Sequence, residues 1–162
     1  MNTTKPNATY VILISFIIAT VMILFPLPDF LVWWRPNWLL MVFIYWTMAL
    51  PHRIGIIAGW ILGIVSDVAL GSVLGIHGLS FALTAYLVQI MTNRLRLFPL
   101  WKQSAIIALM VGFDLVLSLW IQNFIVTQPK HLAYWLPIIS SAFLWPWIFL
   151  LLRDVRRNFN VR

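Results

Sequence analysis

The chain has 162 residues, of which 62% are hydrophobic and only 9% are charged. Soluble domains average about 45–50% apolar and about 25% charged residues, so this composition excludes an ordinary soluble fold and a disordered chain. The charged residues are 11 Lys or Arg against 4 acids, a net charge of +7. Cysteine is absent, which excludes a disulfide framework, a thiolate metal site and a cysteine nucleophile.

Six apolar stretches separated by proline, glycine or charged residues predict an all-α integral membrane protein. A span needs about 20 residues, so the length suits one compact bundle of six transmembrane helices and no separate aqueous domain. The predicted spans, which form a single domain over residues 1–162, are 8–25, 37–50, 54–70, 76–92, 103–126 and 133–152.

The first two stretches need separate arguments. No small-x-small cleavage site follows 8–25, so we expect a retained first helix rather than a signal peptide. The second, 37–50, would make only about 21 Å of helix, against a hydrocarbon core of about 30 Å. We expect 30–34 to extend it as an interfacial segment, and five spans is the alternative arrangement.

The third stretch holds a ladder of residues spaced by four. Residues at this spacing lie on nearly the same helix face, and small side chains there let another backbone approach closely. Two interpretations stay open, packing inside the bundle and docking of a partner's transmembrane helix. The ladder consists of Gly55, Gly59, Gly63, Asp67, Gly71 and Gly75.

Two acids, Asp67 and Asp114, fall within predicted spans. Intramembrane acids are costly and are candidates for function. Each lies at or beyond the midplane, about 21 Å from Arg53 for the first and about 18 Å from Lys102 for the second, at 1.5 Å per residue. We therefore expect a polar cluster on the outward side, made of Asp67, His77, Asp114 and Ser118.

Three uses of this polar cluster are open: hydrogen bonds between helices, an outward pocket for a small molecule, or an aspartyl dyad. The sequence around the acids, Ser66-Asp67 and Gly112-Phe113-Asp114, matches neither intramembrane aspartyl proteases nor the lipoprotein signal peptidase. No Ser-His pairing, zinc-type histidine spacing or phosphate loop is found. We therefore predict no catalytic, cofactor-binding or metal-binding residues, and no enzyme activity.

The positions of the basic residues predict the orientation of the helices. With a cytoplasmic N-terminus, six spans place only Arg35 and Lys130 outside. Cytoplasmic loops carry an excess of Lys and Arg, so both termini are expected in the cytoplasm of a bacterium. Topology thus explains the net charge without a nucleic-acid partner, and the basic tail is expected near anionic lipid. The basic residues predicted inside are Lys5, Arg53, Arg94, Arg96, Lys102, Arg153, Arg156, Arg157 and Arg162.

Several segments together resemble one family. They are Arg35-Pro36-Asn37-Trp38, then Ala49-Leu50-Pro51-His52-Arg53, the Asp67-x-x-x-Gly71-x-x-x-Gly75 element, and the apolar run at 144–151. This pattern, from the first span to the basic tail, resembles the MreD family of rod shape-determining proteins from Gram-negative bacteria. The Arg-Pro-Asn and Asp-x-x-x-Gly-x-x-x-Gly elements are its most specific parts.

The resemblance implies a non-enzymatic inner-membrane scaffold of the machinery that elongates the peptidoglycan wall. It implies binding to MreC, a bitopic membrane protein. It also implies a wider complex with the MreB filament, RodZ, the RodA glycosyltransferase and its transpeptidase partner. The family fold is thought to be similar to the substrate-binding subunits of energy-coupling-factor transporters. The alternative function is therefore a small-molecule-binding membrane subunit or transporter component.

The residues expected to serve packing or partner binding follow from these observations. We expect the glycine ladder to form a lipid-facing groove for the partner's helix. The outer face, with the Arg-Pro-Asn element and 71–78, is expected to meet the partner's periplasmic part. The set comprises Arg35, Pro36, Asn37, Gly55, Gly59, Gly63, Asp67, Gly71, Gly75 and Asp114.

Overall fold

A computed structural model describes residues 9–125, 132–159 and 161, and this part of the chain is almost entirely α-helical. A short 3-10 turn, Leu132–Trp135, precedes the last helix. Three basic residues named above, Lys5, Lys130 and Arg162, lie outside the described residues. The helices are α1 (Thr9–Leu24), α2 (Asp29–Val32), α3 (Trp38–Ala49), α4 (Ile56–Leu70), α5 (Ile76–Leu95), α6 (Leu100–Ile125) and α7 (Leu136–Asn158).

Six long helices fall on the six predicted stretches, and the differences lie at their ends. Helix α7 continues to Asn158, beyond the predicted end at 152, because backbone hydrogen bonding does not require apolar side chains. Residues 30–34 do not lengthen α3, since α2 is a separate helix, and their interfacial position stays a prediction. Pro36 lies between α2 and α3, and the Asn37 side chain accepts a hydrogen bond from Leu40 N as the N-cap of α3.

Helix α3 lies at the centre of the fold. Its residues after Trp38 are all buried, and Trp46 and Phe43 are among the largest fully enclosed side chains. It packs against α1, α4, α5 and α7. A helix that is apolar on every side is expected in such an interior position. Its short length is therefore explained by the helices that surround it.

The glycine ladder is used for packing between α4 and α5. A Cβ atom added to Gly59 would lie 2.8 Å from the carbonyl oxygen of Phe81. One added to Gly63 would collide with the backbone of His77 and Gly78. The expectation of an open, lipid-facing groove along this ladder is wrong, because α5 of the same chain occupies it.

Helix length and surface composition are consistent with a membrane protein. Among the described residues, Leu100–Phe124 and Ala133–Asn158 are long and apolar enough to cross a membrane, judged by length and composition alone. The apolar helices Thr9–Leu24, Trp38–Ala49 and Ile56–Leu70 are shorter. Large apolar side chains are exposed along α1, α4, α6 and α7. Continuous exposed apolar surface marks contact with lipid or with another protein.

Candidate functional site

The Asp67 carboxylate organises the turn between α4 and α5. It accepts hydrogen bonds from Ser72 Oγ at 2.6 Å, from Gly75 N at 2.8 Å and from His77 N at 3.1 Å. Gly71 ends α4 with a φ of 64°, and Gly75 precedes α5 with a φ of 98°. These left-handed conformations favour glycine. The Asp-x-x-x-Gly-x-x-x-Gly element is therefore one tight turn folded around a buried carboxylate.

His77 connects this turn to α6. Its Nδ1 lies 2.7 Å from Asp67 Oδ1. Its Nε2 lies 3.5 Å from Ser118 Oγ and 3.9 Å from Asp114 Oδ2. The two ring nitrogens therefore face different helices, Nδ1 towards Asp67 of α4 and Nε2 towards α6. One imidazole thus bridges the two intramembrane acids.

Asn37 brings two further helices, α3 and α7, to the same place. Its side-chain Nδ2 donates to Asp114 Oδ2 at 2.9 Å, and its backbone N donates to Ser141 Oγ of α7 at 3.1 Å. The same amide caps α3 through its oxygen, as described above. The hydrogen bonds of one asparagine therefore reach α3, α6 and α7, at the end of the bundle where α3 begins.

Arg35 also joins two segments, because its side chain binds the end of α1. Its Nη1 donates to Ile23 O at 2.6 Å and its Nη2 donates to Phe25 O at 2.8 Å. A cation at the last carbonyls of a helix satisfies them and complements the helix dipole. Pro36 then interrupts the chain before α3 begins. The Arg-Pro-Asn element thus fixes the end of α1 relative to the start of α3.

The predicted convergence of the polar cluster is confirmed, and its position on the outward side stays a prediction. Asp67, His77, Asp114 and Ser118 converge from three helices, and each is buried. The sequence argument did not find the bond from Asn37 to Asp114, nor the bond from Asn37 to Ser141. The Arg-Pro-Asn resemblance marked Asn37 as important, but the identity of its partners depends on which helices are neighbours.

The burial of the acids decides between the uses proposed for the polar cluster. The side chain of Asp67 is 0% exposed and that of Asp114 is 1% exposed, so neither faces an open pocket. The outward small-molecule pocket lined by these acids is therefore absent from the described structure. Within the same part of the chain, no group of three His, Cys, Asp or Glu residues could hold a metal ion. The arrangement serves as a hydrogen-bond network that joins helices.

Some buried polar atoms near this network have no hydrogen-bond partner among the described residues. They include the hydroxyl oxygen of Thr84, whereas the Ser80 hydroxyl and Asp114 Oδ1 face each other without ideal hydrogen-bond geometry. Both hydroxyls lie on α5, within two turns of His77. Buried polar groups are costly unless they find partners, so the approach of Ser80 to Asp114 helps to join α5 to α6.

The long apolar helices and the exposed apolar surface, taken with this buried network, are consistent with a helical membrane protein. A family model described as "rod shape-determining protein MreD" matches residues 4–155. The rod shape-determining protein MreD of Haemophilus influenzae is 35% identical over 149 residues, which is 92% of each chain. This chain therefore belongs to the MreD family of rod shape-determining proteins.

No solved structure matches the chain significantly. The similarity to the substrate-binding subunits of energy-coupling-factor transporters therefore stays a prediction. Family membership supports a role in determining rod shape, in a family of structural shape-determining proteins rather than enzymes.

Proposed function

We propose that this chain is a non-enzymatic scaffold of the peptidoglycan elongation machinery in the bacterial inner membrane, where it binds an MreC-like bitopic protein. The family match supports the rod-shape role. One structural observation favours a scaffold. Two residues that carry the family resemblance, Asn37 and Asp67, make hydrogen bonds that join segments of the same chain. Bonds of this kind fix the shape of a bundle, as a scaffold requires.

The proposed membrane arrangement has six spans with both termini in the cytoplasm. Arg96 donates to the carbonyl oxygens of Met48 and Ala49 at the end of α3. Arg35 makes the equivalent contact at the opposite end of the bundle, on α1. Most described basic residues lie at the end that Arg96 occupies, which supports its assignment to the cytoplasm.

We propose that the partner's periplasmic part meets an outer platform, defined here as the exposed apolar residues of α2 and of the turn between α4 and α5. Phe30 is 74% exposed and Leu74 is 67% exposed. They lie beside the Arg-Pro-Asn element and the Asp67 turn, respectively. Exposed apolar residues at one end of a rigid bundle are suited to protein contact. The platform comprises Phe30, Leu31, Val32, Val73 and Leu74.

Co-purification tests this platform. The double variant Phe30→Asp/Leu74→Asp should insert at the normal level but recover less of the MreC-like protein from mild detergent, because each Asp replaces an exposed apolar contact. Leu97→Asp is the matched control, since Leu97 is 84% exposed at the other end of the bundle. Equal recovery of the partner by both proteins would refute the platform assignment.

The wider partners proposed for the complex are the MreB filament, RodZ, RodA and its transpeptidase. The filament would approach from the cytoplasmic side, where the basic loops lie. Recovery of these proteins should depend on the MreC-like protein if the chain contributes to the complex mainly through that partner. Their recovery in its absence would instead indicate direct binding to this chain.

A further inference from the structure

We propose that the α5–α6 turn, taken here as residues 94–103, binds an anionic phospholipid whose phosphate is held by Arg94 and Lys102. Leu97 and Trp101 contact the apolar part of the same lipid. The inference goes beyond the scaffold role and uses the proposed topology, which places this turn at the cytoplasmic leaflet. Because α5 runs from the Asp67 turn to the α5–α6 turn, the lipid site and the outer platform lie at opposite ends of the bundle.

Hydrogen bonds to the rest of the bundle fix the inner side of the α5–α6 turn. Arg96 Nε donates to Met48 O, at the end of α3, over 2.9 Å. Gln103 is buried, and its Nε2 donates to Leu95 O at 3.0 Å and to Phe98 O at 3.1 Å. The backbone of the turn is therefore held in one position, and the side chains that take no part in these bonds form its outer surface.

Two cations lie on this outer surface. Arg94 is in the last turn of α5, Lys102 is in the first turn of α6, and both are exposed. These two helices pack on each other, and the axes of packed helices lie about 8–10 Å apart, so the two cations occupy one small region. The acid of α5 and α6 is Asp114, which is buried in the polar cluster. The positive charge of the turn is therefore not offset by an acid of either helix.

Large apolar side chains accompany these cations. Leu97 is 84% exposed and Trp101 is 69% exposed. The Lys102 ammonium lies 5.3 Å from the centroid of the Trp101 ring and 5.8 Å from that of the Phe98 ring. Tryptophan is enriched at the membrane–water interface, and lysine extends its charged end from apolar surface towards water. We therefore expect this cation and these rings at the level of the lipid head groups.

The basic end of α7 is less available for the same ligand. Arg153 Nε lies 3.9 Å from Asp154 Oδ1, which offsets its charge. Arg156 Nε donates to Val161 O at 3.4 Å, and the same side chain hydrogen-bonds to Tyr45 of α3. The α5–α6 turn, with two exposed cations that no acid of its helices offsets, is therefore better suited to an anionic head group.

An anionic phospholipid matches both the charge and the apolar surface of this turn. Each Lys or Arg near the membrane surface strengthens binding to anionic lipid by about five-fold, so two cations predict a preference of about 30-fold for an anionic over a zwitterionic lipid. An acidic protein surface would match the charge, but it would leave Leu97 and Trp101 without an apolar environment. The combination therefore favours a lipid.

Native mass spectrometry of the full chain in mixed micelles tests the site, with phosphatidylglycerol and phosphatidylethanolamine as probes. Arg94→Gln/Lys102→Gln should weaken phosphatidylglycerol binding about 30-fold and leave phosphatidylethanolamine binding nearly unchanged, because only the first lipid carries a net charge. Lys102→Arg keeps the charge and should bind as the unsubstituted chain does. Arg153→Gln/Arg157→Gln removes the same formal charge from the end of α7 and should weaken binding by less than about two-fold.

Trp101→Ala tests the apolar contact in the same assay. It should weaken binding of both lipids by a similar factor, because the ring contacts the part that the two lipids share. Trp147→Ala is the matched control, since Trp147 is 71% exposed but lies on α7, and it should change neither affinity.

Three results would overturn the proposal. These are equal weakening by the two double charge variants, unchanged lipid selectivity in Arg94→Gln/Lys102→Gln, and loss of a bound protein from that variant while its lipid selectivity is intact. All the substituted side chains are exposed, so the fold should be retained, and an unchanged Tm of each variant checks this. Recovery of the MreC-like partner is measured separately on the outer platform, so a failure of the lipid site is distinguishable from a failure of the scaffold role.

Discussion

Replacing Gly63 with alanine should separate α4 from α5 and destabilise the fold. The added Cβ would meet the backbone atoms of His77 and Gly78, which cannot rotate away as a flexible side chain could. Overpacking of this kind costs about 1–3 kcal/mol, and a collision with backbone belongs at the upper end. For a chain of this size, about 3 kcal/mol corresponds to a fall in Tm of about 6–12 °C.

Thermal unfolding in detergent, followed by circular dichroism, measures this effect. The matched control is Gly112→Ala on α6, where the added Cβ would have Ile138 Cδ1 as its nearest neighbour at 3.4 Å. That change should leave Tm nearly unaltered or raise it slightly, because alanine favours a helix interior by about 1 kcal/mol. A wild-type Tm for Gly63→Ala, accompanied by loss of a bound partner, would refute intramolecular packing and restore the docking interpretation.

Two further substitutions probe the polar cluster by the same unfolding assay. Asp67→Asn removes the charge that accepts bonds from the turn and should cost about 2–3 kcal/mol, whereas Asp154→Asn, at an exposed position, should cost almost nothing. Equal Tm values for these two proteins would contradict a structural role for the buried carboxylate. Asn37→Ala removes the α3 cap and leaves Asp114 without its amide donor, so we expect a loss of about 2–3 kcal/mol. Asn93→Ala is the exposed control, and a comparable loss there would show that the effect is not specific to the cap.

The helices and the polar cluster could both be predicted from the sequence, but from different signals. Apolar runs bounded by charged residues gave the six long helices, because membrane helices leave a strong compositional signal. Counting the rise per residue placed Asp67 and Asp114 at similar depth, which was enough to predict that they would lie together. His77 was predicted to join them, and the structure places it beside Asp67 because that carboxylate closes the turn before α5.

The remaining features depend on which helices are neighbours. The spacing of Gly59 and Gly63 is equally compatible with a partner outside the chain and with α5, and only the fold decides. The hydrogen bond from Asn37 to Asp114 joins the start of α3 to α6. The two residues are far apart in the sequence, so no local sequence pattern predicts that they are neighbours. The requirement of about 20 residues for a span made it doubtful that 37–50 is a transmembrane helix. That requirement applies to a helix in contact with lipid, whereas α3 is enclosed by other helices.

The shape of cells depleted of their own MreD protein and expressing this chain tests the central claim most directly. Because the chain belongs to that family, rods of normal width are expected, with the MreC-like protein recovered alongside it. Round cells, despite normal insertion of the chain in the inner membrane, would contradict the scaffold role.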